Sequence, residues 1–385
     1  MSLELPIQAL REEIGLPQLF TGRAQDLTFF IEWVALVRRE LGQSQVILAR
    51  KRRGKTALVQ RLYNLLYSQN DPKIIPFYIR IDEGRTTQLA FSIRLLSNLL
   101  SQYLAFIQRR PELVGDPLNL EELSTATDDP VLLRQVKRMQ QYKADNDSIA
   151  AWDLARELGH TLSTLKDVRI IQIIDEFQFL NDRVYVHDDY LTRIELGNFY
   201  QRTGSSKVSP QIITGSYIGW LSQIVDRMVG RYEKHYLKPL DSQEALAAVY
   251  NYSSVLGRPV NDASAAYMVE ACFGDPYYIS QTFKSKCPNK DLTRRETIRE
   301  ILEFETGVEG GIHGMWMDYL VSAFSRINDK DGKRIVLYLA HQGGEERTRR
   351  QIRDDLKLEM DDGELEKKTE GLHINQPNQA IFWPS

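Results

Sequence analysis

Ala49-Arg-Lys-Arg-Arg-Gly-Lys-Thr56 is the stretch on which the reading of this chain turns. Alanine or glycine, four residues, then Gly-Lys and a hydroxyl residue is the pattern of a phosphate-binding loop, provided that a strand precedes it and a helix follows. Gln45 to Leu48 is a short β-branched and apolar run, and Ala57, Leu58, Leu62, Leu65 and Leu66 return at helical spacing. In such a loop successive backbone N–H groups and the helix N-terminus face a β-phosphate, Lys55 neutralises the β and γ oxygens, and Thr56 holds Mg²⁺. Gly54 lets the backbone come close. Ala49 stands where glycine is commoner, which is acceptable while its φ stays negative. Arg50, Lys51, Arg52 and Arg53, followed by Ala57 beyond Thr56, are expected to meet the same nucleotide. Their positive potential has this local use before it need mark a nucleic-acid patch.

Working outward, Lys73 to Ile81 (KIIPFYIRI), Val168 to Ile174 (VRIIQII) and Gln211 to Thr214 (QIIT) read as further strands separated by helical material. Continuous apolar strands alternating with helices imply an α/β fold, a P-loop ATPase core with a parallel sheet and helices on both faces. The loop needs an acidic partner at the end of another buried strand, and Ile174-Asp175-Glu176 supplies it. Asp175 is expected to order the Mg²⁺ shell and Glu176 to position and activate the attacking water. Thr214 and Ser216, ending the next strand, are candidates for sensing the γ-phosphate or that water. Arg227 and Arg231 precede an apparent strand at Tyr236-Leu-Lys238 and are candidate γ-phosphate partners, in cis or across a subunit interface.

At 385 residues the chain exceeds one ordinary compact core, so two or three domains are expected. Leu27, Phe30, Ile31, Val34 and Val37 predict a helix over about 25–41. Residues 84–165 are long for a crossover, with helical patterns at 87–109, 131–143 and 148–165 around a loop-like acidic stretch, GDPLNLEELSTATDDP. They are expected to be a helical insertion in a core spanning 1–240. Helices then dominate 241–305. TGVEGGIHG at 306–314 carries enough glycine for a flexible joint. Beyond it a helix near 315–327, short helices at 332–342, 348–357 and 362–370, and a hairpin-like HINQPNQAIFW predict a C-terminal winged-helix domain over 315–385. Arg349, Arg350 and Arg353 lie on its second short helix. The third, expected to be the recognition helix, is DDGELEKKTEG, of mixed charge where a DNA-reading helix should present a clean basic face.

The formal net charge of -3 argues against a protein that coats nucleic acid by bulk electrostatics, leaving only a local patch to do so. Cys272 and Cys287 are the two cysteines, too few for a disulfide framework and not at metal-ligand spacing with the histidines. No uninterrupted apolar run is long enough to cross a bilayer, so no membrane role is expected. MSLELPIQALREEIG lacks the basic-then-apolar order of a secretion signal, and a cytoplasmic protein is expected.

Phe20-Thr-Gly-Arg23, Ala49 to Thr56, Ile174-Asp-Glu-Phe177, Thr214-Gly-Ser216, Gly230-Arg231, Pro239-Leu240 and Gly274-Asp-Pro-Tyr-Tyr278 together resemble the archaeal-type ATPases of the STAND class, relatives of the AAA+ proteins. The resemblance covers roughly residues 18–300, and with the terminal domain nearly the whole chain. It implies a core, a helical lid at 241–305 and a winged helix that close around ATP. It also implies that Gly22, Arg23 and Pro239 lie near the base and ribose, and that Arg231 is the arginine usually found ahead of the last core strand. Ala49-Arg50 departs from the family's usual Gly-Pro, which bears on the hydrolysis rate more than on binding. ATP rather than GTP follows from the resemblance, since no Asn-Lys-x-Asp string lies in the core; NDKDG at 328–332 is outside it.

Three functions fit. The leading one is a slow signalling switch, in which ATP favours one arrangement and the changed surface recruits a partner protein or another copy of the chain. The second is a DNA-handling ATPase of the initiator or transposition-helper kind, predicting DNA-stimulated hydrolysis and salt-sensitive affinity. The third, a nucleotide-binding scaffold without hydrolysis, suits Ala49 but not Glu176.

Overall fold

Five parallel strands form the central sheet in the computed structural model, which describes residues 7–201, 203–326, 330–341, 347–361 and 363–365. They are β1 (Ser44–Leu48), β2 (Ile74–Arg80), β3 (Arg169–Asp175), β4 (Gln211–Gly215) and β5 (Tyr232–Tyr236), arranged β2-β3-β4-β1-β5. β1 to β4 are buried almost throughout, as their apolar runs require. β5 is different. Its sequence, Tyr-Glu-Lys-His-Tyr, is largely exposed and pairs only with β1. The strand expected at Tyr236-Leu-Lys238 therefore starts four residues earlier, because an edge strand needs no continuous apolar run to declare itself.

β1 lies between β4 and β5, whereas β2, next in sequence, lies at the far edge. In open α/β sheets such a reversal leaves a crevice beyond the carboxyl ends of the strands, where ligands bind. The helices around the sheet are α1 (Ala24–Arg38), α2 (Lys55–Gln69), and, between β2 and β3, α3 (Gln88–Ile107), α4 (Glu112–Gly115), α5 (Leu120–Ala126), α6 (Pro130–Ala144) and α7 (Ser148–Lys166). Part of the stretch expected to be loop, 115–130, is helical: Asn119 and Glu122 form a capping box at the start of α5, and Leu120 and Leu123 are buried. The polar and acidic residues there cap and coat a helix. Among the described residues α3 is the one helix long and apolar enough to cross a bilayer, a property that apolar runs miss because Ser92, Ser97, Asn98, Ser101 and Gln102 interrupt it. As 72% of its most apolar window is buried, and it packs on α7 and β2, it serves as a core helix.

The segment before α1 is strapped along α2. Leu10 N–H donates to Asn64 Oδ1 (2.8 Å), Glu13 N–H to Gln60 Oε1 (2.8 Å) and Ser68 Oγ to Ile7 O (2.7 Å). At its centre Arg61 donates from Nε and Nη2 to the two oxygens of Glu12, both at 2.8 Å, with the side chains 5% and 0% exposed. Removing one partner of such a pair leaves the other charge buried, so Glu12→Ala is expected to cost about 3–5 kcal/mol of stability. Urea unfolding reads this directly, and an unchanged midpoint would rule it out.

The chain divides into two compact units, Met1–Lys284 with Asp291–Ile298, and Ser285–Lys290 with Arg299–Ser385. The first holds the sheet together with α8 (Ile218–Asp226), α9 (Ser242–Leu256), α10 (Asp262–Ala271) and α11 (Pro276–Lys284). α12 (Arg295–Thr306) starts in the first unit and ends in the second, which also holds α13 (Gly311–Arg326), α14 (Lys330–His341) and α15 (Arg349–Leu356). The glycines at 306–314 lie within the second unit. There Gly310 N–H donates to Gly307 O (2.8 Å), Gly311 N–H donates to Glu305 Oε2 (2.8 Å), and a Cβ on Gly310 would stand 2.0 Å from Glu305 O. Ile335, Ile352, Leu358 and Leu365 form this unit's small core. The expected helix at 362–370, beyond its residues 363–365, and the hairpin-like HINQPNQAIFW lie outside the described residues.

Candidate functional site

β1 delivers the chain into the crevice at Ala49. Arg52 (φ 67°) and Gly54 (φ 92°) then turn it through the left-handed region before α2 begins at Lys55. Glycine is needed at 54 for that φ rather than for room, since a Cβ there would meet nothing within 4 Å. Ala49 stays outside the left-handed region, the condition its methyl group requires. Among the described residues no side chain caps the N-terminus of α2, so its first N–H groups are left without a side-chain partner.

Lys55 is buried, and its Nζ donates to the carbonyls of Ala49 (2.8 Å) and Arg50 (3.0 Å). Burial pushes its pKa down from 10.5 to about 8, against the opposing pull of Glu176 and Asp175. The ammonium is thus held by dipoles, with no carboxylate in salt-bridge contact among the described residues. Thr56 Oγ1 donates to Asp175 Oδ2 at 2.8 Å, joining the loop to the end of β3. Thr214 Oγ1 donates to the other oxygen, Asp175 Oδ1, which also accepts the Glu176 N–H at 3.1 Å. Burial, and then Glu176 beside it, raise the Asp175 carboxyl above its ordinary value.

Glu176 takes the left-handed conformation (φ 58°), a cost that a non-glycine residue bears when its surroundings fix it. Ser216 fixes it with two donors, N–H to Oε2 at 3.1 Å and Oγ to Oε1, and the Gln178 amide donates to Oε2. The two polar residues at the end of β4 therefore divide their work. Thr214 holds Asp175, and Ser216 holds Glu176.

The basic residues of the loop are committed within the same unit. Arg53 Nη2 and Arg50 Nη2 lie 3.4 and 3.2 Å from Asp275 Oδ2, just ahead of α11, and the Arg52 guanidinium sits 5.5 Å from the centre of the Tyr277 ring. Arg53 Nη1 is buried without a hydrogen-bond partner. Arg23, itself left-handed (φ 62°), donates to Arg53 O (2.8 Å) and Lys238 O (2.5 Å), clamping the loop to the segment that follows β5. Gly22 packs against Leu240 and Glu244, where a Cβ would come within 3.0 Å of both side chains, while Pro239 is exposed. Gly274, at φ 63°, lets its backbone meet Leu240: Leu240 N–H donates to Gly274 O (2.9 Å), and a Cβ would stand 2.2 Å from Leu240 O.

Arg231 ends a turn, its N–H donating to Met228 O (3.1 Å), and is exposed. Among the described residues its guanidinium makes no hydrogen bond or ion pair, and it does not join Lys55, Asp175 and Glu176 within this chain. Arg227 lies 3.3 Å from Glu195. Reading the sequence missed four side chains: Tyr78, which reaches Asp175; Gln60, which donates to the Tyr78 hydroxyl; Gln178, on Glu176; and Asp275, on the loop. Asp275 lies inside the Gly-Asp-Pro string already singled out. Gln178 stands two residues beyond Glu176, where a glutamine carries no pattern of its own; Tyr78 and Gln60 carry no local signal, because it is strand order and helix packing that bring them to the site.

No family model matches the chain, and no curated protein matches it. Among solved structures it is similar to the Walker-type ATPase PABY2304 of Pyrococcus abyssi, at a TM-score of 0.58 and 16% identity over 97% of this chain and 93% of that one. That likeness shows a shared fold, the P-loop ATPase fold. Weaker likenesses are to the ORC2 protein of Aeropyrum pernix in its ADPNP-ADP complexes (TM-score 0.44, 14% identity, 92% and 87% covered) and to the RuvB Holliday junction branch migration motor of Thermotoga maritima (0.39, 13%, 94% and 88%).

Proposed function

We propose that this chain binds and hydrolyses ATP with Mg²⁺ and works as a nucleotide-driven switch of the STAND kind. The observation that carries the reading is the 2.8 Å contact of Thr56 Oγ1 with Asp175 Oδ2, which sets the phosphate loop against an acidic strand end beside Lys55 and Glu176. The residues present fit both groups. An uncapped helix N-terminus, the clear space at Gly54 and the unpartnered Arg53 Nη1 suit a polyphosphate, and the Thr56 hydroxyl with the Asp175 carboxylate suits a hard cation that prefers oxygen. Bound Mg²⁺ supplies neutralisation of the charge on the transferred phosphoryl group.

The protein's own part is positioning. The Lys55 ammonium exchanges two carbonyl dipoles for phosphate oxygens. Thr56 and Asp175 would hold the cation. Glu176, aimed by Ser216 and Gln178, takes a proton from the water that attacks the γ-phosphorus, and the bond from that phosphorus to the ADP oxygen breaks. Because Arg50 and Arg53 already face Asp275, phosphate binding competes with or joins an ion pair to the helices after β5, which gives a route from nucleotide to lid. A partner protein or a second copy of the chain then reads the change, with Arg231 free to act on a neighbour's site.

The DNA-handling reading gains no observation of its own: the α15 arginines Arg350 and Arg353 lie 3.8 and 3.9 Å from Asp354. Phosphate release and light scattering test the proposal together. The expected result is Mg²⁺-dependent turnover of ATP and a solution mass that differs between ATP and ADP. No ATP turnover removes the enzyme reading; turnover at constant mass removes self-assembly and leaves a partner as the output.

A further inference from the structure

The geometry points to Tyr78 as a positioning residue for the metal-binding carboxylate, an assignment that rests on reading Thr56 and Asp175 as the Mg²⁺ pair. Tyr78 lies on β2, paired in register with Ile173 of β3, and its hydroxyl donates to Asp175 Oδ2 at 3.3 Å. That oxygen is also the acceptor for Thr56. The direction of the phenolic hydrogen is set from behind, because Gln60 Nε2 donates to the Tyr78 oxygen at 3.2 Å and leaves the hydroxyl hydrogen for Asp175. Gln60 is itself fixed by the Glu13 N–H at 2.8 Å.

The backbone of Tyr78 is pinned as well. Its N–H donates to Gln102 Oε1 (2.9 Å) and its carbonyl accepts from Gln102 Nε2 (2.7 Å), so this α3 side chain fills the place of a neighbouring strand on the open edge of β2. Every link is buried: Tyr78 is 8% exposed, Gln60 and Gln102 2% each. A single carboxylate thus accepts from Thr214 and Glu176 N–H on one oxygen and from Thr56 and Tyr78 on the other. The Thr56 oxygen would offer a lone pair to a cation while its hydrogen stays on Oδ2, and Tyr78, as the second donor on that oxygen, keeps the carboxylate in the one orientation that serves both. Without it, Oδ2 is held by Thr56 alone and the carboxylate is less well aimed at the cation.

The test is Tyr78→Phe, which keeps the buried ring and removes one hydroxyl. The affinity for the non-hydrolysable analogue ADPNP is measured with Mg²⁺ and with EDTA, beside the Mg²⁺ dependence of ATP turnover. A hydrogen bond to a charged group carries enough energy for the Mg²⁺-dependent gain in affinity to fall about tenfold, and the Mg²⁺ concentration for half-maximal turnover should rise by about as much. Affinity in EDTA and kcat at saturating Mg²⁺ should stay within about twofold. An unchanged Mg²⁺ requirement overturns the assignment, and so does an equal loss of metal-free and metal-dependent binding, which would make Tyr78 structural only. Asp175→Asn separates the two levels: if it leaves the Mg²⁺ dependence intact, the reading of the metal pair fails, whereas if it abolishes it and Tyr78→Phe does not change it, only the role of Tyr78 fails.

Discussion

Replacing Lys55 with alanine is expected to weaken ATP binding by about 2–4 kcal/mol, on the order of 30- to 1,000-fold in Kd, while leaving the fold as stable as before or more so. The two halves of this result come from one observation. Lys55 is buried with two backbone carbonyls as its hydrogen-bond partners, and the fall of its pKa to about 8 shows that burial disfavours its charged form. A cation kept at a loss in the free protein is repaid only when an anion arrives. Alanine removes the loss and the attraction together. Thermal unfolding without nucleotide should give an unchanged or higher Tm, and titration with a fluorescent ATP analogue should give the weaker affinity. Tight binding by the alanine variant would sink the assignment of the loop; a lower Tm would show Lys55 to be part of the loop's scaffold.

That contrast also explains how far the sequence could be read. The phosphate loop, Asp175 and Glu176 are local features: an apolar run says strand, the residues just after it carry the chemistry, and no knowledge of neighbours is needed. β1 to β4 were legible for the same reason. Tyr78 illustrates the limit. Its letter lies in KIIPFYIRI as one more apolar position, and its role exists only because β2 is the neighbour of β3, which the order of strands along the chain does not disclose. β5 hid behind alternating polar residues, since edge position relaxes the apolar requirement. The capping box at Asn119 and Glu122 was written in the sequence but was outweighed by the surrounding acidic residues. Arg23 shows a subtler gap: the resemblance sets it near the base, while its guanidinium donates to Arg53 O and Lys238 O, a contact with the loop that no pattern in the sequence announces.

Glu176→Gln is expected to lower kcat for ATP by about 10²- to 10⁴-fold, the range in which a positioned base contributes, with Kd changed by less than about threefold. The amide can occupy the carboxylate's place without disorder. With its oxygen toward the Ser216 N–H and the Gln178 amide, and its nitrogen donating to Ser216 Oγ, all three neighbours keep a partner. Because Glu176 already lies in the left-handed region and glutamine has the same backbone requirements, no new strain is added at φ 58°. What disappears is the ability to accept the proton of the attacking water, while Lys55, Thr56 and Asp175 keep their contacts with one another's elements. Single-turnover phosphate release and equilibrium binding separate the two quantities. Equal loss of both would mean that Glu176 shapes the loop rather than the chemistry. Undiminished turnover would hand the base role to another group and leave Ser216 without a function at this site. The expected outcome gives an ATP-bound state that persists, and its solution mass beside that of the ADP state decides whether the switch is read by a second copy of the chain or by a different protein.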